Sequence, residues 1–137
     1  MEKKNILEEG PEKKILIVDD DLVTLEMLEK ILVLEGYWVA KGTNGKEALY
    51  IANEFMPDLI ILDIMMPIMD GTEAMEHLEK NPRTKNIPVL CLTSLISKNE
   101  EFKNSTMNRC FLGKPIEKEK LLKEIEKCLE KRRKHDN

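Results

Sequence analysis

The chain is poor in aromatic residues, which make up 4% of its 137 positions, so its core has to be built from Leu, Ile, Val and Met. Long apolar runs are missing too. The longest, around Leu59–Leu62, is broken by Asp63 and falls far short of the ~18 residues that span a bilayer. The first residues, MEKKNILEEG, contain no apolar segment of a secretory signal. Positive charge is short as well: the net charge is −4 and the pI near 5.4, the wrong balance for a nucleic-acid-binding body. Three cysteines, Cys91, Cys110 and Cys128, show no CxxC spacing, and an odd number in a non-secreted chain reads as reduced core thiols rather than a redox or metal set. Of the two histidines, His77 falls on a helix rich in Glu and Lys and His135 in the tail, so neither is expected to have a catalytic or metal role. These absences leave a cytoplasmic protein with no nucleic-acid or membrane partner as the expectation, of one domain's length.

A regular alternation fills most of the chain. Residues 1–13 are polar, carry Gly10-Pro11 and are expected to be a flexible N-terminal tail. Ile15–Val18 is a short β-branched run ended by Asp19, Asp20 and Asp21, the pattern of a strand buried on both faces. Leu25, Leu28, Ile31 and Leu32 then recur at helical spacing, and Gly36 supplies a helix stop. Tyr37–Ala40 predicts a second strand, Thr43-Asn44-Gly45 a turn, and Ala48, Leu49, Ala52 and Phe55 the inner stripe of a second helix. Leu59–Leu62 and Val89–Leu92 predict further strands on either side of a helix over 71–80, and Cys110–Leu112 a fifth. A last helix over 118–131 presents Leu121, Leu122, Ile125, Cys128 and Leu129 on one face. The segment 97–108 has only Phe102 and Met107 as large apolar anchors among weak helix formers, predicting a short, irregular helix. The basic end at 132–137 reads as a solvated tail, leaving 14–131 as the domain.

Strands alternating with helices mean βαβ units, a parallel sheet and right-handed crossovers. The fold class is therefore α/β: a flavodoxin-like, doubly wound five-stranded parallel sheet in the order 2-1-3-4-5, helices on both faces, with its working crevice at the carboxyl ends of the strands. On that topology Asp19 and Asp20 end strand one, and Asp63 ends its neighbour, strand three. Carboxylates converging within ~4–6 Å raise one another's pKa unless a cation intervenes. An all-oxygen set without His or Cys selects a hard ion, Mg²⁺, which binds through a few carboxylates plus a phosphate. Thr93 after strand four offers a hydroxyl, and Lys114 after strand five offers a point charge for a phosphate oxygen. This set equips Asp63 to act as a nucleophile forming an aspartyl-phosphate, with positioning and charge neutralisation as the catalytic means. Asp21 reads instead as a helix cap, and Asp70-Gly71 as turn and cap chemistry.

Ile15–Asp20, Asp63 with Met66-Pro67 and Asp70-Gly71, Thr93 and Lys114-Pro115 stand in order, each at a strand end. Together with Asn44-Gly45 and Glu47-Ala48-Leu49 they make the sequence resemble a response-regulator receiver domain of two-component signalling, over residues 13–131. The resemblance implies that Asp63 accepts a phosphoryl group from a sensor histidine kinase or a histidine phosphotransfer protein. It implies Mg²⁺ held directly by Asp20, Asp63 and the carbonyl of Met65, with Asp19 reaching it through water. Thr93 would bond the phosphoryl group, Lys114 would pair with it, Phe111 would turn inward on activation, and the Lys114–Pro115 bond would be cis, which proline makes inexpensive. The chain departs from the family pattern at Ser94 and at Met107-Asn108.

The resemblance leads to a phosphorylation switch that is no enzyme beyond its own phosphorylation and dephosphorylation, acting on a downstream protein target as a monomer or weak dimer. Since the chain ends after the last helix, a stand-alone switch is expected. The alternatives are a phosphorelay carrier and a receiver fragment of a longer regulator. A haloacid-dehalogenase-type phosphatase wants a second acid two residues after the nucleophile, where Met65 stands. Met65 and Leu95, two residues beyond Asp63 and Thr93, are apolar and cannot orient an attacking water. Both are expected to slow dephosphorylation.

Overall fold

The structure, a computed structural model, describes residues 13–66, 69–94 and 109–136, with side chains through Glu130. Residues 1–12, Pro67, Leu95, Met107, Asn108, the short helix expected over 97–108 and the basic side chains at the C-terminus lie outside the described residues.

In chain order the elements are β1 (Lys14–Val18), α1 (Leu22–Leu34), β2 (Trp38–Gly42), α2 (Gly45–Phe55), β3 (Leu59–Asp63), α3 (Gly71–Lys80), β4 (Val89–Thr93), β5 (Arg109–Gly113) and α4 (Lys118–Asp136). The five strands form one parallel sheet in the order β2-β1-β3-β4-β5. Ile15, Ile17, Leu59, Ile61, Leu90 and Leu92 project to one side and pack on Leu25, Leu28 and Leu32 of α1 and on Leu121, Ile125 and Cys128 of α4. The alternate residues Leu16, Val18, Ile60, Leu62, Val89 and Cys91 meet Ala48 and Ala52 of α2 and Ala74, Met75 and Leu78 of α3. Because successive strand side chains point to opposite faces, both sets must be apolar. That is why the central strands read as continuous aliphatic runs, each fully buried side chain contributing about 1.5–3 kcal/mol.

The edges differ from the centre. β2 runs two residues past the expected Ala40, because its parallel pairing with β1 continues to Val18↔Gly42. As an edge strand it leaves Trp38 60% exposed. At the other edge, Arg109 of β5 forms a forked ion pair with Glu79 of α3, Nε–Oε2 2.8 Å and Nη2–Oε1 2.9 Å, tying that strand to the helix beneath it. α1 ends where Gly36 takes a φ of 95°, with the Gly36 and Tyr37 N–H groups closing on the Val33 and Leu32 carbonyls. α4 continues helically to Asp136, so the backbone after Lys131 is not the tail expected from its charge.

All three cysteines lie in the core, as expected: Cys110 of β5 and Cys128 of α4 face each other with their Cα atoms 6.9 Å apart, and Cys91 is a separate buried thiol. The Cys110–Cys128 proximity comes from packing: α4 crosses β5 with both small sulfur side chains turned into one core layer, a juxtaposition that an 18-residue separation does not reveal. Burial pushes the Cys91 thiol up to about 12.

Candidate functional site

Each side chain of the acidic crevice is placed by a strand end. β1 stops at Val18, and the N–H of Asp19 donates to the Gly42 carbonyl at 3.1 Å. Asp19 turns inward and is 2% exposed, its Oδ1 accepting from the Asp21 N–H at 2.9 Å. Asp20 is exposed. Asp21 caps α1, accepting from the Val23 N–H and the Thr24 hydroxyl. β3 delivers Asp63, 4% exposed, next to β1 through the register Val18↔Leu62. Carboxylate oxygens of Asp19, Asp20 and Asp63 thereby lie within 4.8 Å of one another.

The neighbouring strands add the rest. Lys114, directly after β5, extends its Nζ to 3.2 Å from Asp63 Oδ1, and its N–H is fixed by the Thr93 carbonyl at 2.9 Å. Thr93, 3% exposed, ends β4 opposite Gly113. The Lys114–Pro115 bond is cis. The Met65 N–H also donates to Asp63 Oδ1, at 3.3 Å, while its side chain is 70% exposed and stands at the mouth of the crevice. Phe111 lies on β5, half-buried against the α2–α3 side of the core. The acids, Thr93 and Lys114 thus share one edge of the sheet, whereas Phe111 lies two residues inward from the end of β5.

The electrostatics of this crevice point to a missing positive charge. Asp19 Oδ2 is fully buried and has no hydrogen-bond partner among the described residues, a costly state for a carboxylate oxygen. Its carboxyl is pushed up to about 6, chiefly by desolvation and also by the charge of Asp63, against the lowering effect of the Asp21 N–H and of Lys114. An orphaned, buried oxygen within an all-oxygen donor set is what a hard divalent cation such as Mg²⁺ satisfies. The acidic cluster could hold a metal ion, and it fits a phosphoacceptor site. A groove of about 300 Å³, lined by Leu49, His77, Leu78, Lys80, Asn81 and Thr84, shares no residue with it.

Two features of the surroundings were not legible in the sequence. Leu22 and Val23, which the sequence pattern assigned to no face, open α1 at 68% and 74% exposed, directly after the Asp19–Asp21 run. Gly42, assigned no role from the sequence, accepts from the Asp19 N–H, and Gly45, read as a turn residue and as part of the family pattern, donates to the Met69 carbonyl.

The sheet order and the acidic crevice at its carboxyl edge are those of CheY-like receiver domains, which are signalling modules rather than classical enzymes. The sequence profile of the response regulator receiver domain matches residues 15–126. The response regulator PleD of Caulobacter vibrioides is 37% identical over 105 residues, 76% of this chain but 23% of PleD, so the chain spans about a quarter of that relative's length. Protein PilH of Pseudomonas aeruginosa is 33% identical over 117 residues, 85% of this chain and 97% of PilH. Among solved structures, a CheY-like response regulator receiver domain protein of Methanospirillum hungatei superposes with a TM-score of 0.81 at 28% identity, covering 91% of this chain and 99% of its own. The chain belongs to the response regulator receiver domain family. No helix among the described residues is long and apolar enough to cross a membrane.

Proposed function

We propose that Asp63 accepts a phosphoryl group from a phosphohistidine on a sensor histidine kinase or histidine phosphotransfer protein, and that its phosphorylation switches a protein-binding surface. The observation that carries this reading is the convergence of Asp19, Asp20 and Asp63 within 4.8 Å, with Lys114 Nζ 3.2 Å from Asp63. In the transfer a carboxylate oxygen of Asp63 attacks phosphorus. The new O–P bond forms as the N–P bond to the histidine breaks, and the departing imidazole nitrogen takes a proton. Lys114 neutralises charge gathering on the phosphoryl oxygens, and Thr93 offers its hydroxyl to one of them. Asp19, Asp20, Asp63 and the Met65 carbonyl would hold Mg²⁺, which when bound offsets the negative charge of both acid and phosphate. Phe111 responds to the displaced Thr93 by turning inward.

The exposed Leu22 and Val23, which follow Asp21, and the exposed Met65, two residues past Asp63, supply apolar surface beside the acids suited to a helix bearing the phosphohistidine. A surface of this kind serves a relay carrier as well as a terminal regulator, since the same helix can give or take the group. Incubation with acetyl phosphate and Mg²⁺ tests the reading: intact mass spectrometry should register one added phosphoryl group, absent in Asp63→Ala. No mass gain in the unsubstituted protein would defeat it.

A further inference from the structure

The loop between β2 and α2 lends the crevice no charged group, yet its backbone touches both halves of it. The Gly42 carbonyl accepts from the Asp19 N–H at 3.1 Å, and three residues later the Gly45 N–H donates to the Met69 carbonyl at 3.1 Å. Four residues therefore connect the end of β1, which carries Asp19 and Asp20, to the loop that follows Asp63. That second loop is pinned again at its far end, where the Gly71 N–H donates to the Ile64 carbonyl at 2.7 Å. Met65 lies between the two pins.

The connecting loop is stiff. Thr43 donates to Glu47 Oε1 from both its N–H, at 2.7 Å, and its hydroxyl, at 2.8 Å, while Asn44 Oδ1 accepts from the Glu47 N–H at 2.9 Å. This reciprocal box fixes the first turn of α2 and would do so without any contact to Met69. The contact with Met69 is therefore an added feature, and it requires glycine. A Cβ at position 45 would fall on the Met69 carbonyl oxygen and lie 2.7 Å from both Cβ and Cγ of Met69. Because backbone is among the atoms struck, a change of rotamer cannot relieve the overlap. Either α2 or the loop after Asp63 has to move.

We propose that Gly45 is a positioning residue for the acidic crevice. By letting α2 seat directly on Met69, it sets the spacing between Asp19–Asp20 and the loop after Asp63 that carries Met65, whose carbonyl belongs to the proposed ligand set, and so sets the affinity for a divalent cation. The inference rests on the reading of these acids as a Mg²⁺ site. Outer groups that orient metal ligands change affinity by about 10- to 100-fold when altered, and the backbone shift forced by one methyl group belongs at the lower end, about tenfold.

Calorimetric titration of the full chain with MgCl₂, well below each variant's melting midpoint, tests this. Gly45→Ala should raise the Kd about tenfold, and the exposed neighbour Lys46→Ala should leave it unchanged. Phosphorylation of Gly45→Ala by acetyl phosphate should recover at saturating Mg²⁺, placing the loss in half-saturation rather than in the maximal rate. If Gly45→Ala lowers only the melting midpoint and keeps the Kd, its role is structural and the inference falls. Should Gly45→Ala fail to fold, Glu47→Ala loosens the same loop without adding an atom. It should raise the Kd by a smaller factor, and an unchanged Kd there overturns the inference. Absence of Mg²⁺ binding by the unsubstituted protein overturns both this inference and the reading beneath it.

Discussion

Asp63 and Met65 are two residues apart, yet one is 4% exposed and the other 70%. The acid faces a crevice crowded with other charges, while the thioether faces solvent above it. If Asp63 is the phosphoacceptor, a water attacking its phosphoryl group would find in Met65 no hydrogen bond to orient it. Met65→Asn supplies an amide there and should speed phosphate loss several-fold. Following phosphate release after acetyl phosphate is removed would measure this, and an unchanged half-life would count against a timing role. Asp63 itself was legible in the sequence, because a carboxylate closing an aliphatic run is too costly to lack a purpose. Gly45 was not. A glycine before a helix reads as a turn, and nothing in the chain's order says that Met69 will press against it. The Cys110–Cys128 pair was illegible for the same reason, since it arises from the crossing of two elements far apart in sequence.

At the level of elements, the central strands and the inner faces of the helices could be read from periodicity, because burial on two faces leaves little choice of residue. The edges were read less well. β2 tolerates Lys41 and an exposed Trp38, so its end was set by pairing with β1 rather than by its own composition. α1 carries exposed Leu22, Val23, Val33 and Leu34, which blurs its inner stripe. α2 offers a test of how its first turn is held. The two bonds from Thr43, the backbone one foremost, keep the Glu47 carboxyl below its usual value of 4.5. A carboxyl whose pKa is lower in the folded state contributes stability in full above the unfolded value, and loses it as pH falls through the folded one. Glu47→Gln should therefore melt below the unsubstituted protein at pH 7, and the gap should close once the pH is taken well under 4.5. Paired thermal melts at the two pH values check the sign.

Taken as a whole, the molecule concentrates its electrostatic cost at one edge of an otherwise apolar sheet. Three acids and an orphaned oxygen make the metal-free state less stable than the packing alone would allow. Binding of Mg²⁺ to the native state only should recover that cost. At a hundred times its Kd a ligand adds about 2.7 kcal/mol, on the order of 10 °C in melting midpoint for a chain of this size. Melts with and without MgCl₂ at matched ionic strength should register the rise, and Asp63→Ala should lose most of it. Trp38, the single tryptophan, bears on how such experiments can be followed. It opens β2 level with Lys14, while the acids stand at the carboxyl ends of the strands, five residue steps or roughly 16 Å along the sheet. Its indole already faces water, so its emission colour reports neither the arrival of the cation nor that of the phosphoryl group. The protein's only strong intrinsic fluorophore is a bystander to the proposed switch, and optical work on the crevice calls for a second tryptophan placed near it.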